Sequence, residues 1–259
     1  MINDKDVLKI IDIMSKVAGF DATDKEYLVK SRISKRLMRL GIEDSSEYIE
    51  LISKDSKEFD KMISAITTHH TFFEREEIHF EFLDEYLRAN TDKKVKIWSA
   101  GCSTGEEPYT IAIHALELNK EPNIRILATD ICIESLEKAA EGVYVKDRLR
   151  NFSDKIKKTY FDVVGDEYKI KDSVKKFVHF NKLNLSEAFP YSKSESIDII
   201  FCRNVMLYFD KVSIESLVKK FKDKLMPGGY FIVGVTESGN ASVRKHFEMV
   251  KPSVYVKKV

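Results

Sequence analysis

The sequence predicts an α/β protein in which a doubly wound, mostly parallel sheet follows a small all-α domain. After residue 93, short segments rich in β-branched and aromatic residues alternate with amphipathic segments of helical length, which is typical of βαβ units. Before residue 90, apolar residues recur at the i, i+3, i+4 and i+7 spacing of helices. We therefore expect a helical domain over residues 1–75 and an α/β domain over residues 76–259.

The helical domain is predicted to begin with three helices. Apolar residues between positions 7 and 14 lie on one face of the first helix. The second has Asp24 as a possible N-cap and Gly41 as its stop signal. The third has Ser45 or Ser46 as its cap.

The strands of the α/β domain are predicted from four segments, KVKIWSA, NIRILATD, SIDIIFC and GGYFIVGV. The helices between them are predicted from EEPYTIAIHALELNK, CIESLEKAAEGVY and SIESLVKKFKDKL. Residues 160–180 break this rhythm, because Tyr168, Ile170, Val178 and Phe180 alternate with polar residues around turn residues. This pattern predicts a small antiparallel β-subdomain at about 160–180.

The composition excludes several broad classes. The 259 residues include 43 Lys and Arg against 42 Asp and Glu, a net charge of +1, which argues against a general polyanion binder. The three cysteines lack the spacing of a disulfide framework or a zinc site. Acids stand where a signal peptide is basic, and no run of about 18 apolar residues occurs. We expect a cytoplasmic protein that neither binds nucleic acid nor inserts into a membrane.

The segment IWSAGCSTGEEPYT follows a predicted strand and opens a predicted helix. Gly101 and Gly105 permit a tight turn with a close backbone approach, and the helix N-terminus offers unpaired N–H groups. Glu106 and Glu107 would repel a pyrophosphate but would accept hydrogen bonds from an amine. The alternative is that these two acids only stabilise the helix dipole.

Asp130 ends the next predicted strand, 25 residues beyond Gly105. In a nucleotide-binding fold an acid at this place accepts hydrogen bonds from ribose hydroxyls. The alternative is an N-cap for the helix that begins near Ile133. Together with the acidic turn, Asp130 favours a ligand that carries a ribose and a positive charge but no phosphate. S-adenosylmethionine has this chemistry.

Six segments occur in an order that carries a family resemblance: ITTHHTFFEREEIHF, IWSAGCSTGEEPYT, LATDICIESLEKAAEGVY, FNKLNL, IDIIFCRNVMLYFD and LMPGGYFIVGVTES. They resemble the motifs of CheR-type chemotaxis receptor methyltransferases over nearly the whole chain. The resemblance implies a class I, Rossmann-like methyltransferase fold. It also implies methyl transfer from S-adenosylmethionine to receptor glutamate carboxylates, which gives glutamyl methyl esters for sensory adaptation. S-adenosylhomocysteine would be the product, and no metal would be needed.

The resemblance also implies site residues. The positions that match cofactor contacts are His69, Thr71, Arg75, Glu107, Asp130, Asn184, Leu185, Asn204 and Val205. Of these, Glu107 would accept from the amino group, Asp130 would hold the ribose, and Asn184 with Leu185 would flank the adenine. Arg75 would orient the incoming carboxylate, for which the alternative role is an interdomain salt bridge, and Tyr208 would border the substrate entrance.

Two positions depart from the family pattern. His69 stands where the family usually has Asn, and Glu74 replaces the second Phe of the F-F-R-E run. Glu74 could face solvent or compete for Arg75. His69 and His70 do not predict a metal site, because adjacent side chains diverge and no Cys or acid lies at ligand spacing.

The second helix predicts how a partner is bound. Arg32, Lys35, Arg36 and Arg39 fall within a sector of about 100°, beside an apolar sector. We expect this basic face to dock the acidic, helical cytoplasmic region of chemotaxis receptors, to which the enzyme binds as a monomer. The alternative is a solvated charged face. The turn VVGDEY in the β-subdomain is short, which argues against a grip on a receptor C-terminal peptide.

Two other functions are compatible with the sequence. A catalytically weak, S-adenosylmethionine-binding receptor adaptor is suggested by the departures at His69 and Glu74. A methyltransferase for another substrate is the second alternative, although the segment Cys202–Val205 lacks the motif typical of base methylation.

Overall fold

The computed structural model describes residues 2–21, 23–67, 70–120, 123–189 and 196–258, without the side chain of Asp24. The helical domain contains α1 (Asp4–Ala18), α2 (Glu26–Leu40), α3 (Ser45–Lys54) and α4 (Ser56–Ile66). The helices pack around an apolar core to which all four contribute. The predicted helical domain is therefore present.

The helix ends agree only in part with the predicted caps. Gly41 ends α2 in the left-handed conformation, with φ of 68°, as predicted. The prediction of a serine cap for α3 was wrong, because the cap is Asp44, whose carboxylate accepts from the backbone N–H of Ser46. A 3-10 turn precedes α2, and the N-cap residue of α2 is Lys25. The predicted cap, Asp24, has its side chain outside the described part of the chain.

The predicted basic face of α2 is divided by packing. Arg36 forms a two-bond ion pair with Glu58 of α4, at 2.5 and 2.6 Å, and both side chains are largely buried. Arg32 donates to the last carbonyl groups of α4, including that of Ile66 at 2.6 Å. Lys35 and Arg39 are exposed, and neither has an ion-pair partner among the described residues. Half of the predicted docking set therefore stabilises the helical domain itself.

The α/β domain begins with α5 (Ile78–Ala89). It continues in chain order with β1 (Val95–Ala100), α6 (Glu106–Glu117), β2 (Ile124–Asp130), α7 (Ile133–Glu141), β3 (Val143–Val145), α8 (Asp154–Tyr160), β4 (Phe161–Val164), β5 (Glu167–Ile170), α9 (Asp172–Lys175), β6 (Val178–Lys182), β7 (Ile197–Cys202), α10 (Lys211–Lys224), β8 (Leu225–Val233), α11 (Ala241–His246), β9 (Phe247–Lys251) and β10 (Val254–Lys257).

Seven strands form the main sheet in the order β6-β2-β1-β7-β8-β10-β9. The first five are parallel, and β10 and β9 extend the sheet in antiparallel pairs. Side chains of β1 alternate between two cores: Ile97 packs with α5 and α6, and Trp98 packs with α10 on the other face. The sheet is doubly wound, and the strand order reverses between β1 and β7.

The small antiparallel sheet has the order β3-β5-β4. It confirms the predicted β-subdomain, but its strands are not all the predicted ones. The prediction that Val178 and Phe180 belong to it was wrong. Both residues lie in β6, which pairs in parallel with β2 at the edge of the main sheet. The short helix α9 redirects the chain between the two sheets. Alternation of apolar and polar residues identifies a strand, but it does not specify the sheet that the strand joins.

The chain passes from one domain to the other between α4 and α5. Phe73 in this connection is buried in the core of the α/β domain, with ring centroids 4.9 Å from Tyr144 and 5.2 Å from Phe152. The connection is therefore packed on the sheet side from residue 73 onward, two residues before the predicted boundary at 75. None of the described helices is long and apolar enough to cross a membrane.

The first prediction concerns the buried ion pair of α2 and α4. We expect Glu58→Ala to lower the free energy of unfolding by about 3 kcal/mol, because it leaves the guanidinium of Arg36 buried without its charge partner. Urea denaturation followed by circular dichroism measures this change. The matched control is Glu50→Ala, which removes an exposed pair with Lys54 and should cost less than about 0.5 kcal/mol. Equal losses in the two variants would contradict the structural role of Arg36.

Candidate active site

A cavity of about 220 Å³ lies at the carboxyl edge of the parallel strands, where their order reverses. Its walls come from the segments that follow β1, β2, β6 and β7, from Thr67 and residues 70–75, and from the helical domain. The described positions from the predicted site that line it are Thr71, Arg75, Glu107, Asp130, Asn184, Leu185, Asn204, Val205 and Tyr208. His69 lies outside the described residues. The fold therefore brings together residues that are up to 137 positions apart in the sequence.

The turn after β1 needs glycine at its first position. Gly101 has φ of 85°, and a β-carbon there would collide with the side chain of Val205 from the segment after β7. Gly105, with φ of 92°, lies so close to α7 that a β-carbon would be 2.8 Å from that of Ala139. These two glycines let the turn approach its neighbours and leave room for a ligand above the strand end.

Glu107 is held in the cavity wall by two neighbours. Its Oε1 accepts from Ser99 Oγ at 2.6 Å, and its Oε2 accepts from Arg203 Nη1 at 3.0 Å. Glu106 is buried beside Thr104 and Arg148 and does not line the cavity. Of the two acids in the turn, Glu107 is the one placed to meet a ligand amine.

Arg203 was not predicted as a site residue. Its guanidinium is almost fully buried and pairs with both Glu107 and Glu76, and it donates to the carbonyl of Arg75. It also lies 5.4 Å from the ring centroid of Phe80. The signal in the sequence was a basic residue directly after an apolar strand, at the edge where ligands bind in such sheets.

Asp130 joins the turns that follow β1 and β2. Its Oδ2 accepts from the backbone N–H of Ser103 at 2.8 Å, and its Oδ1 accepts from that of Cys132 at 2.9 Å. The N-cap position of α7 is Cys132, so Asp130 precedes the cap and forms an Asx-type turn instead. Its carboxylate is thereby oriented at the cavity edge.

Two residues of the site also contact the helical domain. Asn184 donates from Nδ2 to the carbonyl of Val17, in the last turn of α1, at 2.6 Å. The ring of Tyr208 stacks on Phe20, with centroids 5.2 Å apart and an interplanar angle of 9°. The carbonyl of Tyr208 accepts from the N–H of Asp21 at 2.6 Å, and Lys25 Nζ lies 4.6 Å from the ring centroid. Sequence patterns gave no signal for these contacts.

The connection between the domains lines the opposite wall. Arg75 donates from Nη1 to the carbonyl of His70 at 2.7 Å, and it forms no ion pair among the described residues. The alternative role as an interdomain salt bridge thus has no counterpart in this part of the structure. Two arginines from the segment after β3 flank the connection: Arg148 donates to the carbonyl of Thr71, and Arg150 lies 3.7 Å from the ring centroid of Phe72.

The residues of the cavity fit S-adenosylmethionine. Glu107 offers a carboxylate for an ammonium group, and Asp130 offers one for a ribose diol. Apolar side chains suited to a flat base line the same cavity, among them Leu185 and Phe20. Among the described residues no group of three or more His, Cys, Asp or Glu could hold a metal ion.

Comparison with known proteins identifies the family. A family model described as the CheR methyltransferase all-alpha domain matches residues 5–67, and the CheR methyltransferase SAM-binding domain matches residues 69–256. The chain belongs to the CheR methyltransferase family. It is therefore an S-adenosylmethionine-dependent methyltransferase of the chemotaxis type.

Curated relatives match over nearly their whole length. The chemotaxis protein methyltransferase of Borreliella burgdorferi is 37% identical over 96% of this chain and 93% of the relative. That of Salmonella typhimurium is 34% identical over 98% and 90%, and the probable chemotaxis protein methyltransferase of Rhizobium etli is 34% identical over 94% and 96%. The resemblance expected from the six motifs is confirmed.

The departure from the CheR pattern at Glu74 has a defined partner. Its Oε1 lies 3.3 Å from Nε2 of His114, whose Nδ1 lies 2.8 Å from Asp84. Burial alone would lower the pKa of His114, but the hydrogen bonds and charges of Asp84 and Glu74 outweigh burial and raise that pKa to about 9. Glu74 is therefore engaged by a protonated histidine rather than by Arg75.

The cysteines next to the cavity are not activated. Cys102 and Cys202 are fully buried, and burial raises the pKa of each thiol well above its ordinary value. Both are therefore protonated at neutral pH, and neither is suited to act as a nucleophile.

The second prediction is a pH dependence of stability. Because the pKa of His114 is raised to about 9 on folding, the stability it contributes is fully present below about pH 6.5 and is lost as the pH rises through 9. We expect Glu74→Gln to reduce this loss, since it removes one of the two carboxylates that stabilise the imidazolium. Urea denaturation between pH 6 and pH 9.5 measures it. Glu77→Gln, at an exposed neighbouring position, is the control, and identical pH profiles for wild type and Glu74→Gln would refute the assignment.

Proposed function

We propose that this CheR methyltransferase transfers a methyl group from S-adenosylmethionine to glutamate side-chain carboxylates of chemotaxis receptors. The products are glutamyl methyl esters and S-adenosylhomocysteine. The observation that supports this most strongly is the match over nearly the whole chain to relatives named chemotaxis protein methyltransferases, combined with a cavity lined by Glu107, Asp130 and Arg75.

The reaction needs no general base from the chain. A glutamate carboxylate is ionised at neutral pH and is already a nucleophile. When bound, S-adenosylmethionine supplies a methyl group on a positively charged sulfur that leaves as a neutral thioether. A carbon–oxygen bond forms, the carbon–sulfur bond breaks, its electron pair stays on sulfur, and no proton is transferred. The protonated state of Cys102 and Cys202 agrees with this chemistry, because neither thiol has to act as a nucleophile.

Different residues of the cavity would contact different parts of the cofactor. Glu107, fixed by Ser99 and Arg203, would accept from the ammonium group, and Asp130 would accept from the ribose hydroxyls. The adenine would lie by Asn184 and Leu185, and the methionine part would lie by Thr71, Asn204 and Val205. Each of these side chains or its backbone is already held by a neighbouring element, so binding would require little reorganisation.

Arg75 and Tyr208 would receive the substrate. The hydrogen bond from Arg75 to the carbonyl of His70 uses one guanidinium nitrogen and orients the rest of the group at the cavity. A guanidinium binds a carboxylate through paired N–H groups. Tyr208, fixed by the stack on Phe20, would border the path of the incoming side chain. The enzyme's contribution is then the alignment of carboxylate oxygen, methyl carbon and sulfur.

One of the two observations that favoured a catalytically weak receptor adaptor no longer supports it. It rested on His69 and Glu74, and the contact of Glu74 with His114 leaves Arg75 without a competing acid from this position. His69 lies outside the described residues. The second alternative is a methyltransferase for another substrate. The stability of the methylated product in alkali distinguishes it from the proposed function.

The third prediction tests the reaction itself. Receptor-rich membranes incubated with the enzyme and radiolabelled S-adenosylmethionine should acquire label that is released by mild alkali, because carboxyl esters hydrolyse and N-methyl groups do not. We expect Arg75→Ala to lower the initial rate by roughly 10²-fold or more, since it removes the group that orients the carboxylate.

The control for this assay is Arg88→Ala, which removes an exposed arginine at the far end of α5 and should retain wild-type turnover. Circular dichroism verifies that both variants are folded. Alkali-stable label would reject glutamate as the acceptor, and wild-type turnover by Arg75→Ala would remove that residue from the substrate site.

Receptor docking is proposed to use the exposed part of the basic face. Lys35 and Arg39 point to solvent, whereas Arg32 and Arg36 are bonded to α4. Exposed cations affect association with an acidic surface mainly through long-range attraction, which salt screens. The docking contribution of Arg32 and Arg36 is then indirect, through the position of α2.

The fourth prediction concerns this surface. We expect Lys35→Glu or Arg39→Glu to raise the KM for receptor about fivefold, which corresponds to the ~1 kcal/mol of an exposed ion pair, and to leave the Kd for S-adenosylhomocysteine unchanged. The matched control is Lys94→Glu, an equal charge reversal at an exposed position before β1, at the opposite edge of the sheet. A similar KM increase in Lys94→Glu would show that net charge, rather than this surface, determines docking.

A further inference from the structure

Glu237 is a buried acid that does not line the cavity. It lies in the short 3-10 turn that follows β8 and is 5% exposed. Burial raises the pKa of its carboxyl group, although backbone N–H groups oppose this effect. No ion pair to Glu237 occurs among the described residues, so backbone N–H groups are the partners that compensate its burial there.

The carboxylate of Glu237 joins two segments at the carboxyl edge of adjacent strands. Oε2 accepts from the N–H of Gly234, in its own turn, and from the N–H of Asn204, both at 2.8 Å. Oε1 accepts from the N–H of Leu207 at 3.2 Å. Two of the three bonds therefore reach the segment after β7, about 30 positions away in the sequence.

That segment carries cofactor-side residues in an uncommon conformation. Asn204 has φ of 58°, in the left-handed region that non-glycine residues seldom occupy. Its neighbour Val205 fills the space that a side chain at Gly101 would need. The bonds to Glu237 flank both residues and keep the segment in this conformation.

Gly234 shows that the contact is closely fitted. Its φ of −63° suits any residue, so its backbone does not require glycine. A β-carbon there would nevertheless lie 2.5 Å from Asn204 Nδ2 and 2.9 Å from Glu237 Oε2. The side chain of Asn204 is thus enclosed between the turn after β8 and the cavity.

We propose that Glu237 is a positioning residue for cofactor binding, which acts by holding Asn204 and Val205 in the orientation that lines the cavity. The inference depends on the S-adenosylmethionine site alone and not on the group that receives the methyl. A purely structural role, as a cap of its own turn, would affect stability without affecting the ligand.

The experiment compares ligand affinity with stability. The Kd for S-adenosylhomocysteine is measured by calorimetry, and the melting temperature by circular dichroism, for wild type, Glu237→Gln and Gly234→Ala. Glu237→Gln keeps the shape of the side chain but replaces one acceptor oxygen with an NH₂ group that faces N–H donors. We expect this variant to raise the Kd about tenfold at a temperature where it is fully folded.

Gly234→Ala retains the carboxylate but adds a methyl group against the side chains of Asn204 and Glu237. This variant should therefore also raise the Kd. The control is Glu215→Gln. It removes a carboxylate on α10 that is bonded to Lys245 and His246 on α11, away from the cavity. Its Kd should stay within a factor of two of wild type.

A lower melting temperature with a wild-type Kd in Glu237→Gln would overturn the proposal and leave Glu237 as a turn cap. Should Glu237→Gln not fold, Gly234→Ala decides in the same way: a raised Kd supports the positioning role, and an unchanged Kd overturns it. In the supporting case, KM for S-adenosylmethionine should rise while the KM for receptor stays constant, because Glu237 is not on the docking surface.

Discussion

The site depends on one buried cation, the guanidinium of Arg203. A charge removed from water is costly unless partners compensate it, and here two carboxylates and a backbone carbonyl do so. These partners come from the domain connection and from the start of α6, so the ion pairs fix both against the end of β7. Burial, together with the charge of the same cation, lowers the pKa of the adjacent His79 to about 3, which keeps that buried imidazole neutral.

Much of the architecture followed from the sequence because strands and helices have different apolar periods. The doubly wound sheet, the helical domain and Gly41 as a helix end were predicted from such local signals. The division of the basic face was not, because helical periodicity gives the angle of Arg36 but not the neighbour, Glu58, that covers it. β6 was misassigned for the same reason: its pairing with β2 is a long-range property.

The active site shows the same limit. Positions that match motifs were found to line one cavity, whereas Arg203 and Phe20 were missed. Arg203 acts through partners about 100 positions away, and Phe20 contacts Tyr208 across nearly 190 positions. Phe20 and Asp21, which contact Tyr208, lie only a few positions before α2 in the sequence. The proposed docking helix is therefore close in sequence to residues at the proposed substrate entrance.

The segment after β7 is held from both sides. Arg203 anchors its start through ion pairs in the cavity wall, and Glu237 anchors the next residues through their N–H groups. The helical domain then fixes its end by stacking on Tyr208. One short segment therefore carries the residues proposed to face the cofactor and the residue proposed to face the substrate, in a fixed relation to each other. The proposed methyl transfer needs no proton transfer and depends on alignment of the reacting atoms, so the fixed position of this segment would favour it.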